Sequence, residues 1–201
     1  MITIDTDVLI VGSGGAGLQA ALYARKEGVR VLLVDKGIVG KSGATVGAEE
    51  IAGVGSWRHR GDSVECHFKD SLQAGAFLNN PELLEVLTVD AQKVLLSLEK
   101  IGMYFQRNEE GSRFSLVPSG GHSFPRGFGC QDITGKVIAD VLRAEAMRCN
   151  VEFKSDFFTA GLLKGSENEV VGAFGIDCVA GALTAIRSKA VIIATGGVGQ
   201  L

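Results

Sequence analysis

The 201-residue sequence has no apolar run approaching the roughly 18 residues that a membrane-spanning helix needs. It has no dense run of lysine and arginine, and its formal net charge is −3, so a nucleic-acid partner lacks electrostatic support. The four cysteines, Cys66, Cys130, Cys149 and Cys178, form no CxxC pair and have no histidine at ligand spacing. That spacing argues against a zinc site, an iron–sulfur cluster held by this chain or a redox dithiol, and no metal ligand is assigned. The expectation is buried, reduced thiols in a cytoplasmic protein. No repeat or low-complexity linker interrupts the chain, and the first strand is expected too close to Met1 to leave room for a signal peptide. What is there is 46% hydrophobic and rich in short apolar runs, enough for one substantial core or two small ones.

The most informative of these runs is Val8-Leu9-Ile10-Val11, which enters Gly12-Ser13-Gly14-Gly15-Ala16-Gly17 and then a helix-forming stretch, Leu18 to Glu27. A second run, Val31 to Val34, ends at Asp35, 23 residues past Gly12. Strand, glycine turn, helix, strand and acid in this order form a dinucleotide-binding βαβ unit. Gly12 permits the tight turn, Gly14 admits a pyrophosphate to the backbone, and Gly17 lets helix and strand approach. Asp35 would accept hydrogen bonds from a ribose diol. A bare glycine turn with no ligand is the bland alternative, and the acid at this distance argues against it.

A loop of small residues follows, from Gly37 to about Ser56. Asp62-Ser63 caps an expected helix reaching about Ala76. Asn80-Pro81 starts another, with Leu83, Leu84, Leu87, Ala91, Val94, Leu95 and Leu98 at helical spacing and Gly102 as its stop. These apolar positions are read as packing. After a mixed loop, Ser119 to Gly129, Thr134 is the expected N-cap of a helix ending near Asn150. The remainder is β-rich. Strands are expected at 151–153 and 157–163, an antiparallel pair at 170–179 and 183–186, and a buried strand at 190–194 that ends in Thr195-Gly196-Gly197. An NAD-dependent dehydrogenase would continue with alternating strands and helices. A helical insertion and a β-meander before one more parallel strand favour FAD.

GSGGAG at 12–17, DKG at 35–37, KSGATV at 41–46, GGHSFPR at 120–126, DITGK at 132–136 and ATGG at 194–197 occur in that order. Together they resemble the N-terminal part of the succinate dehydrogenase/fumarate reductase flavoprotein family, which includes L-aspartate oxidase. The resemblance implies an α/β fold: a Rossmann-like FAD-binding domain of glutathione-reductase type, with a parallel sheet, an antiparallel β-meander and a helical insertion. Residues 1–201 would be one incomplete portion of it. By the same resemblance Gly12, Ser13, Gly14, Gly15, Ala16 and Gly17 hold the pyrophosphate, and Asp35 the adenosine ribose. Lys36, Gly37, Lys41, Ser42, Gly43, Ala44 and Thr45 run beside the phosphates and the flavin ring. Backbone near Thr159 meets the adenine, whose pocket Thr195 and Gly196 line. The implied activity is FAD-dependent oxidoreduction of a dicarboxylate or related small molecule, beside a possible separate iron–sulfur subunit. The implied location is cytoplasmic or peripheral to the inner face of a membrane, without insertion. The alternatives are an L-aspartate oxidase-type flavoprotein and a short, non-catalytic FAD-binding subunit.

Three departures shape the expectation. Ser42-Gly43-Ala44-Thr45 lacks the histidine that tethers flavin in many relatives, so FAD is expected to be held non-covalently, and His59 lies too far along to replace it. Glu49-Glu50 stands where the family tends to have a glycine pair, and carboxylates there would repel a dicarboxylate. The region carrying the family's proton-donating arginine has no counterpart in these 201 residues. No catalytic residue is therefore assigned, and neither Arg126 nor His122 is promoted in its place.

Overall fold

The computed structural model describes residues 2–200, which divide into two compact units, residues 2–47 with 136–200, and residues 48–135. In the first unit, β2 (Val8–Val11) leads through the glycine turn into α1 (Gly15–Lys26) and then β3 (Val31–Val34). With β6 (Glu152–Lys154) and β10 (Ala190–Ile193) they form a parallel sheet in the order β10-β2-β3-β6. Val11 pairs with both Ile193 and Val34, and Val34 with Lys154, so all four strands end along one edge. The unbroken apolar sequences of β2 and β3 follow from burial on both faces. Leu18, Ala21 and Leu22 of α1 are buried, and Leu9, Val11, Leu32 and Val34 pack with Phe157, Ala173 and Ile186 of a second sheet.

That second sheet has the order β1-β9-β8-β7, built from β1 (Ile2–Asp5), β7 (Phe157–Lys164), β8 (Val170–Asp177) and β9 (Ala182–Arg187). The expected antiparallel meander is present, with β8 and β9 joined across Ala180-Gly181. Strand β1 was not anticipated. Its partner, β9, lies some 180 residues away and is paired in parallel, for example Ile4 with Ile186, which no local pattern announces.

Residues 48–135 hold β4 (Ile51–Ala52), α2 (Val64–Ala74), α3 (Pro81–Lys100) and β5 (Gly127–Phe128). Ser63 caps α2 by accepting the Cys66 N–H, and Asn80 caps α3 by accepting the Glu82 and Leu83 N–H groups, with Pro81 in the first turn. The periodic leucines of α3 prove to be two stripes. Leu84, Ala91, Leu95 and Leu98 are buried as expected, whereas Leu83, Leu87 and Val94 are exposed, because the 100° step per residue carries them off the packed face. Aromatic rings fill this core, with Phe114 and Phe128 stacked on each other and each in edge contact with both Phe105 and Trp57.

Helix α4 (Thr134–Arg148) begins differently from expectation. Thr134 is already helical, and its hydroxyl donates to the Glu49 carbonyl at 2.6 Å while accepting the Cys130 N–H. It is therefore the first residue of the helix and not its N-cap, which would need an extended backbone. The cysteines are free, as expected, but Cys66, Cys130 and Cys149 are half-buried and Cys178 is exposed. Among the described residues no helix is long and apolar enough to cross a membrane.

Candidate dinucleotide site

The site is assembled at the carboxyl edge of the parallel sheet, where β2, β3 and β10 end together. Gly12, at φ +101°, turns the chain there, and a Cβ on it would lie 2.4 Å from the Ala194 carbonyl oxygen. A Cβ on Gly17 would lie 1.9 Å from the Gly12 carbonyl oxygen. Both glycines are thus demanded by backbone contact, and the turn meets the Ala194-Thr195-Gly196 end of β10 directly. The Ala194 N–H completes the join by donating to the Val11 carbonyl at 2.8 Å.

Helix α1 points its amino end into this mouth. Gly14 at its N-cap supplies no side-chain acceptor, and the first turn holds no acidic residue. Its leading N–H groups and the positive end of its dipole are arranged for an anion. The Gly15 N–H donates to the Thr45 hydroxyl at 2.9 Å, which brings the small-residue loop over the turn. Ser42 reaches Asp35, Gly43 turns the loop at φ +86°, and Ala44 opens a short 3-10 turn, Ala44–Gly47. Lys41 is drawn to Asp140 of α4, an ion pair that Lys136 shares. Hydrogen bonds from Lys41 and Lys136 hold the Asp140 carboxyl below its ordinary range. On β7 the Thr159 hydroxyl oxygen is buried with no partner among the described residues. Thr195 and Gly196 are exposed at the mouth, and Gly196 has φ +73°.

A glycine turn leading into a helix whose N-cap residue offers no side-chain acceptor fits a dinucleotide. Residues 7–201 match the family model described as FAD binding domain.

The chain belongs to this FAD-binding domain family.

An uncharacterized FAD-dependent oxidoreductase of Methanocaldococcus jannaschii is 39% identical over 98% of this chain, which spans 36% of that relative. A fumarate reductase (CoM/CoB) polypeptide of Methanothermobacter marburgensis is 33% identical over 98% of this chain and 36% of its own length. Quinol fumarate reductase of E. coli, an E245Q variant of FrdA, superposes with a TM-score of 0.90 at 28% identity, covering 99% of this chain and 34% of that one. The chain therefore spans about a third of the length of the curated relatives it matches. Both the Rossmann-like class and the flavoprotein family expected from the sequence are thus those of the folded chain.

Of the site residues expected for an FAD-binding domain, those from Gly12 to Thr45, Thr159, Thr195 and Gly196 all fall in the one unit built on the parallel sheet. Sequence reasoning missed the bonds among them: Ser13 to Asp35 and to Gly40, and Lys41 to Asp140. None of these has a spacing signal, since each pair meets only when the strand ends align.

The remaining candidates lie in residues 48–135. Glu49 and Glu50 line a cleft of about 280 Å³ with Gln106, Ser115, Phe128 and Gln131. His59 stacks on Phe124 at 5.5 Å between ring centroids. Arg126 is 1% exposed and bound by Asp62 and Asp70, while His122 Nδ1 lies 3.4 Å from its Nη1. A guanidinium so enclosed, with Nε, Nη1 and Nη2 all donating to Asp62 or Asp70, braces the loop it belongs to.

Proposed function

We propose that this chain is the FAD-binding part of an FAD-dependent oxidoreductase of the fumarate reductase/succinate dehydrogenase flavoprotein type, holding its FAD without a covalent link. The observation that carries the reading is the meeting of the Gly12 turn with Ala194 and Thr195 at the end of β10. In this reading the turn from Gly12 to Gly17 takes the pyrophosphate, except that Ser13 has its N–H and hydroxyl committed to Asp35; Asp35 takes the ribose, and Thr159, Thr195 and Gly196 the adenosine side. Lys36, Gly37, Lys41, Ser42, Gly43, Ala44 and Thr45 run along the phosphates towards the ring. FAD, when bound, supplies the hydride transfer; the residues of this chain bind and orient it. The apolar strand β10 lies at the sheet's edge with Ile193 exposed, which supports further chain covering it in a longer protein. Catalytic residues, a dicarboxylate-like substrate and an iron–sulfur partner belong to that longer protein.

The test begins with the purified chain and FAD. A shifted, sharpened flavin absorption band with one FAD per chain is expected, and denaturation followed by filtration should release all of it. Flavin retained on the unfolded polypeptide would refute the non-covalent link. Failure to take up FAD would refute the cofactor reading itself. For a polypeptide extended to the length of the relatives, fumarate-dependent reoxidation of reduced flavin is expected. Turnover of L-aspartate in its place would move the assignment to the oxidase branch.

A further inference from the structure

The Asp35 carboxylate is divided among groups of its own unit. Its Oδ2 accepts both the Ser13 N–H, at 2.8 Å, and the Ser13 hydroxyl, at 2.5 Å. Its Oδ1 accepts the Gly37 N–H at 2.9 Å and lies 3.4 Å from the Ser42 hydroxyl. Each carboxylate oxygen offers about two lone-pair directions, so Ser13 alone fills Oδ2. The only weak occupant is Ser42, whose contact is at the limit of hydrogen-bonding length. Ser13 is itself fixed: it is 1% exposed, and its oxygen accepts the Gly40 N–H at 2.8 Å, which directs its single proton to Asp35.

We infer that Ser13 is a positioning residue that dedicates Asp35 Oδ1 to the diol of the adenosine ribose, with the Ser42 hydroxyl holding that place until the sugar arrives. The inference rests on the FAD reading above and adds a residue that acts on the ribose only through Asp35. A ribose hydroxyl at Oδ1 makes a short bond to a carboxylate where Ser42 makes a long one, so exchange favours the sugar. Without the Ser13 hydroxyl, Oδ2 is left short of a donor and Gly40 N–H loses its acceptor. The carboxylate then turns, and neither oxygen is reserved for the diol.

The measurement is displacement of FAD from the whole chain by ADP and by 2′-deoxy-ADP. A site that hydrogen-bonds a hydroxyl rejects the analogue lacking it, so the unmodified chain should prefer ADP by about tenfold. In Ser13→Ala that preference should fall to about twofold. Ser13→Gly removes the same hydroxyl without adding an atom and gives the same reading should the alanine variant not fold. General loosening of the turn would weaken both nucleotides alike and leave their ratio unchanged. A retained tenfold ratio in both variants would therefore overturn the inference while leaving the FAD reading intact. An unmodified chain that binds FAD yet treats the two nucleotides equally would overturn the ribose role of Asp35 and the inference with it. One that binds neither FAD nor ADP would overturn the underlying reading.

Discussion

The nucleotide mouth is built from backbone amides, glycines and small hydroxyls, whereas residues 48–135 close around a guanidinium gripped by two carboxylates. In the first, hydrogen-bonding capacity is left open at the start of α1, where the N-cap Gly14 offers no side-chain acceptor. Around Arg126 in the second it is largely consumed. Arg126 donates from Nε and Nη2 to Asp62 at 2.8 and 2.6 Å, and from Nη1 to Asp70 at 2.6 Å. Asp70 also accepts the N–H and hydroxyl of Ser123. Burial opposes its charge, but these donors prevail and hold its pKa down at about 2. A buried guanidinium whose donors are met by two carboxylates of its own unit is a brace. By that criterion the GGHSFPR segment is scaffold at Arg126, in keeping with leaving Arg126 out of the catalytic assignment.

Arg126→Ala is the hardest way to break this contrast. It strands the Asp62 carboxylate, whose side chain is 0% exposed, and removal of one partner from a buried pair costs about 3–5 kcal/mol. Urea unfolding followed by the fluorescence of Trp57, the one tryptophan of the sequence, should show that loss. A change below about 1 kcal/mol would mean that the network is not the brace described. Gly17→Ala probes the other region. Its methyl would meet the Gly12 carbonyl at 1.9 Å, so the strand and helix must part, at about 1–3 kcal/mol and with loss of FAD binding. Flavin fluorescence titration reads the second effect.

The difference also explains what the sequence could disclose. The glycine turn, Asp35 and the closing strand were legible because their chemistry depends on spacing along one βαβ unit. The caps at Ser63 and Asn80 were legible for the same local reason. Partners of Arg126 stand 64 and 56 residues away, and no residue pattern connects them until the chain has folded. Strand β1 stayed hidden because its register is set by β9. Thr134 misleads because a threonine before an apolar helix is the usual cap signal, while here its hydroxyl is spent on Glu49 and Cys130.

Acid should sharpen the contrast further. His67 is 2% exposed and its Nδ1 has no partner among the described residues. Burial, then the charge of Arg126 and the neighbouring His122, push its pKa down from 6.5 to about 4, against the pull of Asp62 and Asp70. The unfolded chain thus takes up a proton that the folded one refuses. Stability is fully present above about pH 6.5 and is lost as pH falls towards 4. Asp70 adds a second loss between 3.8 and about 2, again because its folded pKa is the lower one. Trp57-detected unfolding should therefore weaken from pH 6.5 downwards, and His67→Phe should flatten the upper part of that slope. A slope unchanged in the variant would remove His67 as its source.

The smallest and most discriminating test compares two helix starts. Asn80 Oδ1 accepts the Glu82 and Leu83 N–H groups at 3.0 and 3.2 Å, so Asn80→Ala should lower stability by about 1 kcal/mol, read through Trp57. At the start of α1 the logic reverses. Gly14 has φ −68° and ψ −175°, an extended backbone that any residue adopts, and a Cβ there would only touch the Thr45 hydroxyl at 3.4 Å. Gly14→Asp should therefore supply the missing cap and raise stability by up to about 1 kcal/mol. The same carboxylate would sit where the proposed reading puts the pyrophosphate and should weaken FAD binding by about tenfold or more through like-charge repulsion. Stability and affinity moving in opposite directions from one substitution is what separates a helix end left open for a ligand from one that merely lacks a cap. If Gly14→Asp strengthened both, the amino end of α1 would not be the phosphate site.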